Sequence, residues 1–173
     1  MLNRLFVTVD NISKWGAIAA ALQVAAIAVM ILAEISARSL FNYSLSFAWE
    51  YSAYCMAMAI FCGAAYTLRT GGHIRVSLLS SSLPAKWAWG VDILATILGC
   101  VISSFLSLAL IQLAWRSFLS GSTSATISAT PLAIPQGIIA LGALFLTLQL
   151  LLRVIRLLTG VPTEDLSDGY QVE

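Results

Sequence analysis

Residues 15–37, 48–68, 87–115 and 135–158 form four runs nearly free of charge. Each is long enough to cross a bilayer, whose hydrocarbon core of about 30 Å needs about 20 helical residues. A segment in lipid must satisfy its own backbone hydrogen bonds, which a helix does and an open strand does not. A membrane β-barrel would require short alternating segments, and these runs do not alternate. The chain is 60% hydrophobic and only 10% charged, where a soluble domain carries about 25% charged residues. Its mean hydropathy is +0.91. The expected fold is an all-α membrane protein with four transmembrane helices. Residues 1–160 make a single four-helix membrane domain, and 161–173 a polar tail bearing Glu164, Asp165, Asp168 and Glu173.

The first run has a basic start in Arg4 and Lys14 and a small-residue stretch at 35–37, so it bears comparison with a cleaved signal peptide. Its apolar core, residues 16–33, exceeds the 7–15 residues usual for such peptides and predicts a retained helix. Ahead of it, Leu2, Leu5, Phe6, Val9 and Ile12 recur at near-helical spacing. That spacing fits either an amphipathic segment on the membrane surface or a simple extension of the first helix.

Orientation follows from the distribution of Lys and Arg. The N-terminal segment, the second connector and the tail end carry Arg4, Lys14, Arg69, Arg75, Lys86, Arg153 and Arg156; the other two connectors carry only Arg38 and Arg116. This bias predicts cytoplasmic N- and C-termini, with Arg69 and Arg75 among the topology anchors. Within the second connector, Ser77, Ser80 and Ser81 fall on one side of a helix, and a short in-plane cytoplasmic helix ending near Pro84 is expected between spans two and three. The 29 residues of the third run would measure about 43 Å, so it is either strongly tilted or ends in the interfaces at Trp87, Trp89 and Trp115. Asp92 is expected near the cytoplasmic edge. The stretch SGSTSATISATP, residues 120–131, reads as an external loop rather than a folded module.

The chain offers little chemistry of its own. Cys55, Cys62 and Cys100 lie within spans and form no CxxC, which favours buried small residues over a thiol carrier. A haem bundle needs histidines inside the spans, and the single histidine, His73, sits in a connector after Gly71 and Gly72. His73 is either a solvated loop residue or a pH-responsive group. Coupling ions usually call for ionisable residues deep in the membrane. Here the innermost carboxylates, Glu34 and Glu50, each lie about 12 Å from the middle of their spans. Glu34 and Arg38 are spaced to pair along one helix, and Arg38 is also within reach of Glu50 across the connector. An ion-pair clamp of Glu34, Arg38 and Glu50 is therefore preferred to a coupling-ion site. The deeper polar residues, Gln23, Ser103, Ser104 and Gln149, are neutral and read as scattered. Ala17, Ala21, Ala25 and Ala28 on span one, and Ala53, Ala57, Ala59 and Gly63 on span two, are small enough for close helix contact. They serve either the bundle itself or a larger partner.

The passages EISARSLFNYSLSFAWEYSAY (34–54) and GAAYTLRTGGHIRVSLLSSSLP (63–84) resemble the small membrane subunit, the DctQ-like small permease, of tripartite ATP-independent periplasmic (TRAP) transporters. Arg38, Phe41, Asn42, Trp49 and Glu50 follow that family's order. So do Gly63, Ala64, Arg69, His73, Val76, Leu83 and Pro84, and LAIPQG (132–137) resembles its approach to the fourth span. Ser77 departs from it, standing where an acidic residue is frequent. Residues 126–130 lack the aromatic usual before the fourth span.

The resemblance implies a non-catalytic subunit of a secondary transporter in the bacterial inner membrane. It would form a heterodimer with a large permease that imports an organic acid with sodium, delivered by a periplasmic substrate-binding protein. Sodium and substrate sites would belong to the partner, leaving this chain with no cofactor, catalytic, substrate or metal residue. Its contacts would be membrane lipids and those two proteins, with no nucleic acid. Trp49, Arg69, His73 and Arg75 are the candidate partner contacts. The competing expectation is a self-sufficient four-helix exporter acting as a dimer, with Glu34 as its proton carrier.

Overall fold

The computed structural model describes residues 2–71 and 84–163. The expected in-plane helix between spans two and three and the acidic tail beyond Thr163 lie outside the described residues. Within them are four helices: α1 (Leu2–Phe41), α2 (Ser46–Arg69), α3 (Ala85–Ser120) and α4 (Ala133–Thr159). All four are long and apolar enough to cross a membrane. The described residues contain no strand, only an isolated antiparallel bridge between Thr123 and Pro131.

The boundaries follow local chemistry. Pro84 caps the start of α3, where its missing N–H costs nothing. Gly121 and Gly160 end α3 and α4 in the left-handed conformation, at φ 62° and 70°, which a glycine adopts without a Cβ penalty. Pro135 lies in the first turn of α4, where its ring blocks no intrahelical bond. No proline interrupts residues 2–41, and α1 runs unbroken through the N-terminal segment. Of the two sequence readings for that segment, extension of the first helix is the one observed. The third span likewise lengthens, to 36 residues.

The helices do not close into a square bundle. α2 and α4 form the centre, α1 packs on α2 and touches α4 along one edge, and α3 packs on α4 alone. Close approach at the centre depends on two glycines. A Cβ on Gly142 of α4 would stand 2.7 Å from the carbonyl carbon of Phe61 and 2.9 Å from the Cys62 nitrogen. A Cβ on Gly16 of α1 would stand 2.6 Å from the Cys62 carbonyl oxygen. One turn of α2 is thus gripped from both sides by backbone. Lipid supplies no hydrophobic drive between helices, so such contact is the means of association.

The packing faces divide the small residues between bundle contact and open surface. Gly16, Ala20 and Gln23 of α1 face inward, whereas Ala21, Ala25 and Ala28 are exposed. Both rows share one periodicity, and the backbone contact at Gly16 selects the inner one. On α2, Gly63 meets Ala20, and Ala53 is exposed.

α3 is polar inside and apolar outside. Thr96, Ser103, Ser107 and Ser117 are buried, while Leu94, Val101, Ile102, Phe105 and Leu108 are exposed. Ser103 and Ser107 hydrogen bond to Thr147 of α4 at 2.7 and 2.9 Å. Ser103, read from the sequence as one of several scattered polar residues, is therefore part of the α3–α4 joint.

Gly142→Val forces a side chain into the α2 backbone and is expected to cost at least about 1–3 kcal/mol. Gly137→Ala, at a position with open space around it, is expected to be neutral or slightly stabilising. Thermal unfolding of the two variants in detergent, followed by size-exclusion chromatography, measures the difference.

Candidate functional site

Polar side chains collect in two layers, one at each end of the helices. At the end carrying both termini, Asp10 of α1 is the hub. Its Oδ2 accepts from Arg69 Nε of α2 at 3.2 Å and from Arg156 Nη2 of α4 at 2.8 Å. Its Oδ1 accepts from Gln149 Nε2 of α4 at 2.9 Å. The Arg156 guanidinium also lies 4.7 Å from the Phe6 ring centroid, a cation–π contact within α1's reach. Alongside, Arg153 of α4 donates to both carboxylate oxygens of Asp92 on α3 at 3.3 and 3.4 Å. Three arginines therefore meet two aspartates, and the contacts link all four helices.

Arg153 and Arg156 entered the sequence reading only as charges biasing orientation, and Arg69 as a topology anchor and candidate partner contact. The structure turns them inward: the Arg156 and Arg153 side chains are 3% and 6% exposed. Gln149 likewise joins the hub rather than standing isolated. Asp10 was not singled out in the sequence reading. The signal available was arithmetic: it is the only carboxylate in the first half of α1, on the end where three arginines close their helices.

At the opposite end, Glu34 accepts from Arg38, from Ser44 Oγ at 2.8 Å, and from the backbone N–H of Leu45. Leu45 is the residue preceding α2, so this carboxylate satisfies a free donor at the helix N-terminus and complements its dipole. Arg38 also reaches Ser44 at 3.3 Å. Glu50 does not join this group, and the proposed three-residue clamp divides in two. Buried at 7% exposure, Glu50 accepts from Tyr54 Oη at 2.8 Å and from Thr126 of the α3–α4 loop. It faces the loop, one helical turn inside α2, while Arg38 stays with Glu34 on its own helix.

Residues 121–132 form the loop expected there, and hydroxyl groups tie it together. Ser124 Oγ lies 2.8 Å from Thr126 Oγ1 and accepts from the Thr130 N–H at 3.1 Å. Thr130 Oγ1 donates to Tyr51 Oη at 3.3 Å. Of the candidate partner contacts, Trp49 is 88% exposed and points away from the protein. Arg69 is committed to the Asp10 hub, and His73 and Arg75 lie outside the described residues.

The two layers share one register. Asp10 and Glu34 are 24 residues apart on α1, and their partners Arg69 and Leu45 are 24 apart across α2. At 1.5 Å per residue this is about 36 Å, slightly more than a hydrocarbon core of about 30 Å. Between the layers the described helices carry no charged side chain beyond Lys14, one turn from Asp10, and Glu50, one turn inside α2. Among the described residues no three His, Cys, Asp or Glu side chains converge, and the three cysteines are unpaired.

Four spanning helices with charge confined to their ends define a multi-pass membrane protein. Residues 27–160 match the family described as tripartite ATP-independent periplasmic transporters, DctQ component, and the chain belongs to that family. It is thus the small component of a TRAP transporter, a transporter subunit rather than a catalytic protein, from systems in which a large permease and a substrate-binding protein also take part. No curated protein and no solved structure matches it.

Asp10→Asn leaves two inward-facing arginines without their carboxylate and is expected to destabilise by about 3–5 kcal/mol. Glu34→Gln, whose ion-pair partner Arg38 is 68% exposed, is expected to lower the melting midpoint far less, because water screens such a pair. Parallel thermal melts of the two variants test that ordering.

Proposed function

We propose that this chain is a non-catalytic scaffold that braces the large permease of a TRAP-type secondary transporter in the bacterial inner membrane. The permease imports an organic acid with sodium, and the acid arrives on a periplasmic substrate-binding protein. Both termini of the scaffold face the cytoplasm, in keeping with the Lys and Arg bias of its connectors. The observation that carries this reading is the placement of charge. The ion pairs at Asp10 and Asp92 lie at one end of the helices and tie helix to helix, and that of Arg38 with Glu34 closes the other end of α1. A protein that moved an ion alone would need ionisable groups deeper in the membrane. Glu34, the proton carrier required by a self-sufficient exporter, is occupied at the end of α1 by Arg38, Ser44 and Leu45. The open row of helices supports the same reading, because α1 and α3 keep long apolar faces uncovered.

Purification of the C-terminally tagged chain from its native membrane in gentle detergent is expected to bring down a large multi-spanning protein in stoichiometric amount. Substrate uptake by that complex is expected to survive Glu34→Gln in this chain. Recovery of the chain with copies of itself alone, or a proton-coupled flux abolished by Glu34→Gln, would overturn the proposal.

A further inference from the structure

Glu50 differs from every other described carboxylate. Asp10, Glu34 and Asp92 each have an arginine partner. Among the described residues no Lys, Arg or His nitrogen reaches Glu50, although it is buried. Hydroxyls surround it instead. Tyr54 and Thr126 donate to its two oxygens. Ser124 and Thr130 follow in the same loop: Ser124 Oγ lies 2.8 Å from Thr126 Oγ1 and accepts from the Thr130 N–H, and Thr130 is bonded in turn to Tyr51. Hydroxyl dipoles satisfy the hydrogen-bonding capacity of an ionised carboxylate, but they bring no net charge to offset its burial.

The donor set has a definite chemical preference. It consists wholly of oxygen, with no nitrogen or sulfur, which suits hard cations and not the softer transition metals. It carries one formal negative charge, which one monovalent cation neutralises and a divalent cation would overshoot. We propose that Glu50, Ser124, Thr126 and Thr130 hold one small monovalent cation, Na+ or K+, that pins the α3–α4 loop to the start of α2. The cation exchanges with solution at the surface, since Thr126 is exposed. It goes no deeper, because α2 has no further charged residue before Arg69. This is a cation that belongs to the fold and is not carried across the membrane. Coordination requires the hydrogen bonds of Thr126 to Glu50 and to Ser124 to open, each hydroxyl turning a lone pair in place of its proton toward the ion.

The test is thermal unfolding of the full-length chain in nanodiscs, titrated with NaCl, KCl or choline chloride at constant ionic strength. The melting midpoint is expected to rise saturably with Na+ or K+ and not with choline, and the comparison of the two salts identifies the preferred ion. At ten times the half-saturating concentration, the unfolding equilibrium constant falls by about 11-fold. Glu50→Gln keeps the side-chain size and an acceptor oxygen and is expected to abolish the specific rise. Thr126→Val removes one oxygen and leaves the carboxylate, so it raises the half-saturating concentration several-fold; it also decides the matter if Glu50→Gln does not fold. Identical midpoints in all three salts, or a rise undiminished in both variants, would overturn the proposal.

Discussion

The two carboxylates of α1 hold the structure in register. Asp10 takes Arg69 and Arg156 at one end, and Glu34 takes the Leu45 N–H at the other. Apolar helices in lipid slide past one another at little cost, because one leucine-rich contact is much like the next. A bonded group at each end of a hairpin removes that freedom. A slip by a single turn of about 5.4 Å would break both contacts together and strand Arg69 and Arg156 in a low-dielectric setting. The remaining structure depends on this registration. Only with α1 so placed does Gly16 face the Cys62 carbonyl, and only with Asp10 at the foot of α2 can α4 bring Gln149 and Arg156 to the same carboxylate.

Given that hairpin, α4 completes the centre and α3 is carried on its far side. The uneven use of side chains follows. α4 has most to bury, and it does so with Ala140, Gly142, Ala143 and Thr147 along its contact face. α3 has a single neighbour, so its hydroxyls turn inward to Thr147 and its large apolar residues turn out. In water this would be an inverted helix; in lipid the exposed face costs nothing, and the buried hydroxyls give the α3–α4 joint its direction. A membrane subunit with faces left open in this way presents apolar surface and keeps its polar contacts for itself.

The spans, the pairing of Glu34 with Arg38, and the family resemblance were all legible in the sequence, because each depends on spacing within one element or on the order of residues along the chain. What escaped notice depends on contacts between elements far apart in sequence. Asp10 and Arg156 are separated by 146 positions, and nothing local to either marks the other. Glu50 was assigned to Arg38 because only the short connector was in view, when its partner Thr126 lies in a loop 76 positions away. The alanine row at 21, 25 and 28 has the same periodicity as the inner row at 16, 20 and 23, so pattern alone could not choose the buried one. The choice rests on the absence of a Cβ at Gly16.

Register between α1 and α2 is the claim on which the account stands, and cysteine cross-linking measures it directly. Ala20 and Gly63 are placed so that a Cβ at the latter would lie 3.4 Å from that of the former, close to the mean of about 3.8 Å in disulfides. With Cys55, Cys62 and Cys100 replaced by alanine, Ala20→Cys and Gly63→Cys should join rapidly and nearly completely in the membrane under mild oxidation. The same pair should join poorly once Asp10→Asn and Glu34→Gln are added. Absence of the bond in the parent, or equal yield with and without the two carboxylates, would contradict the claim.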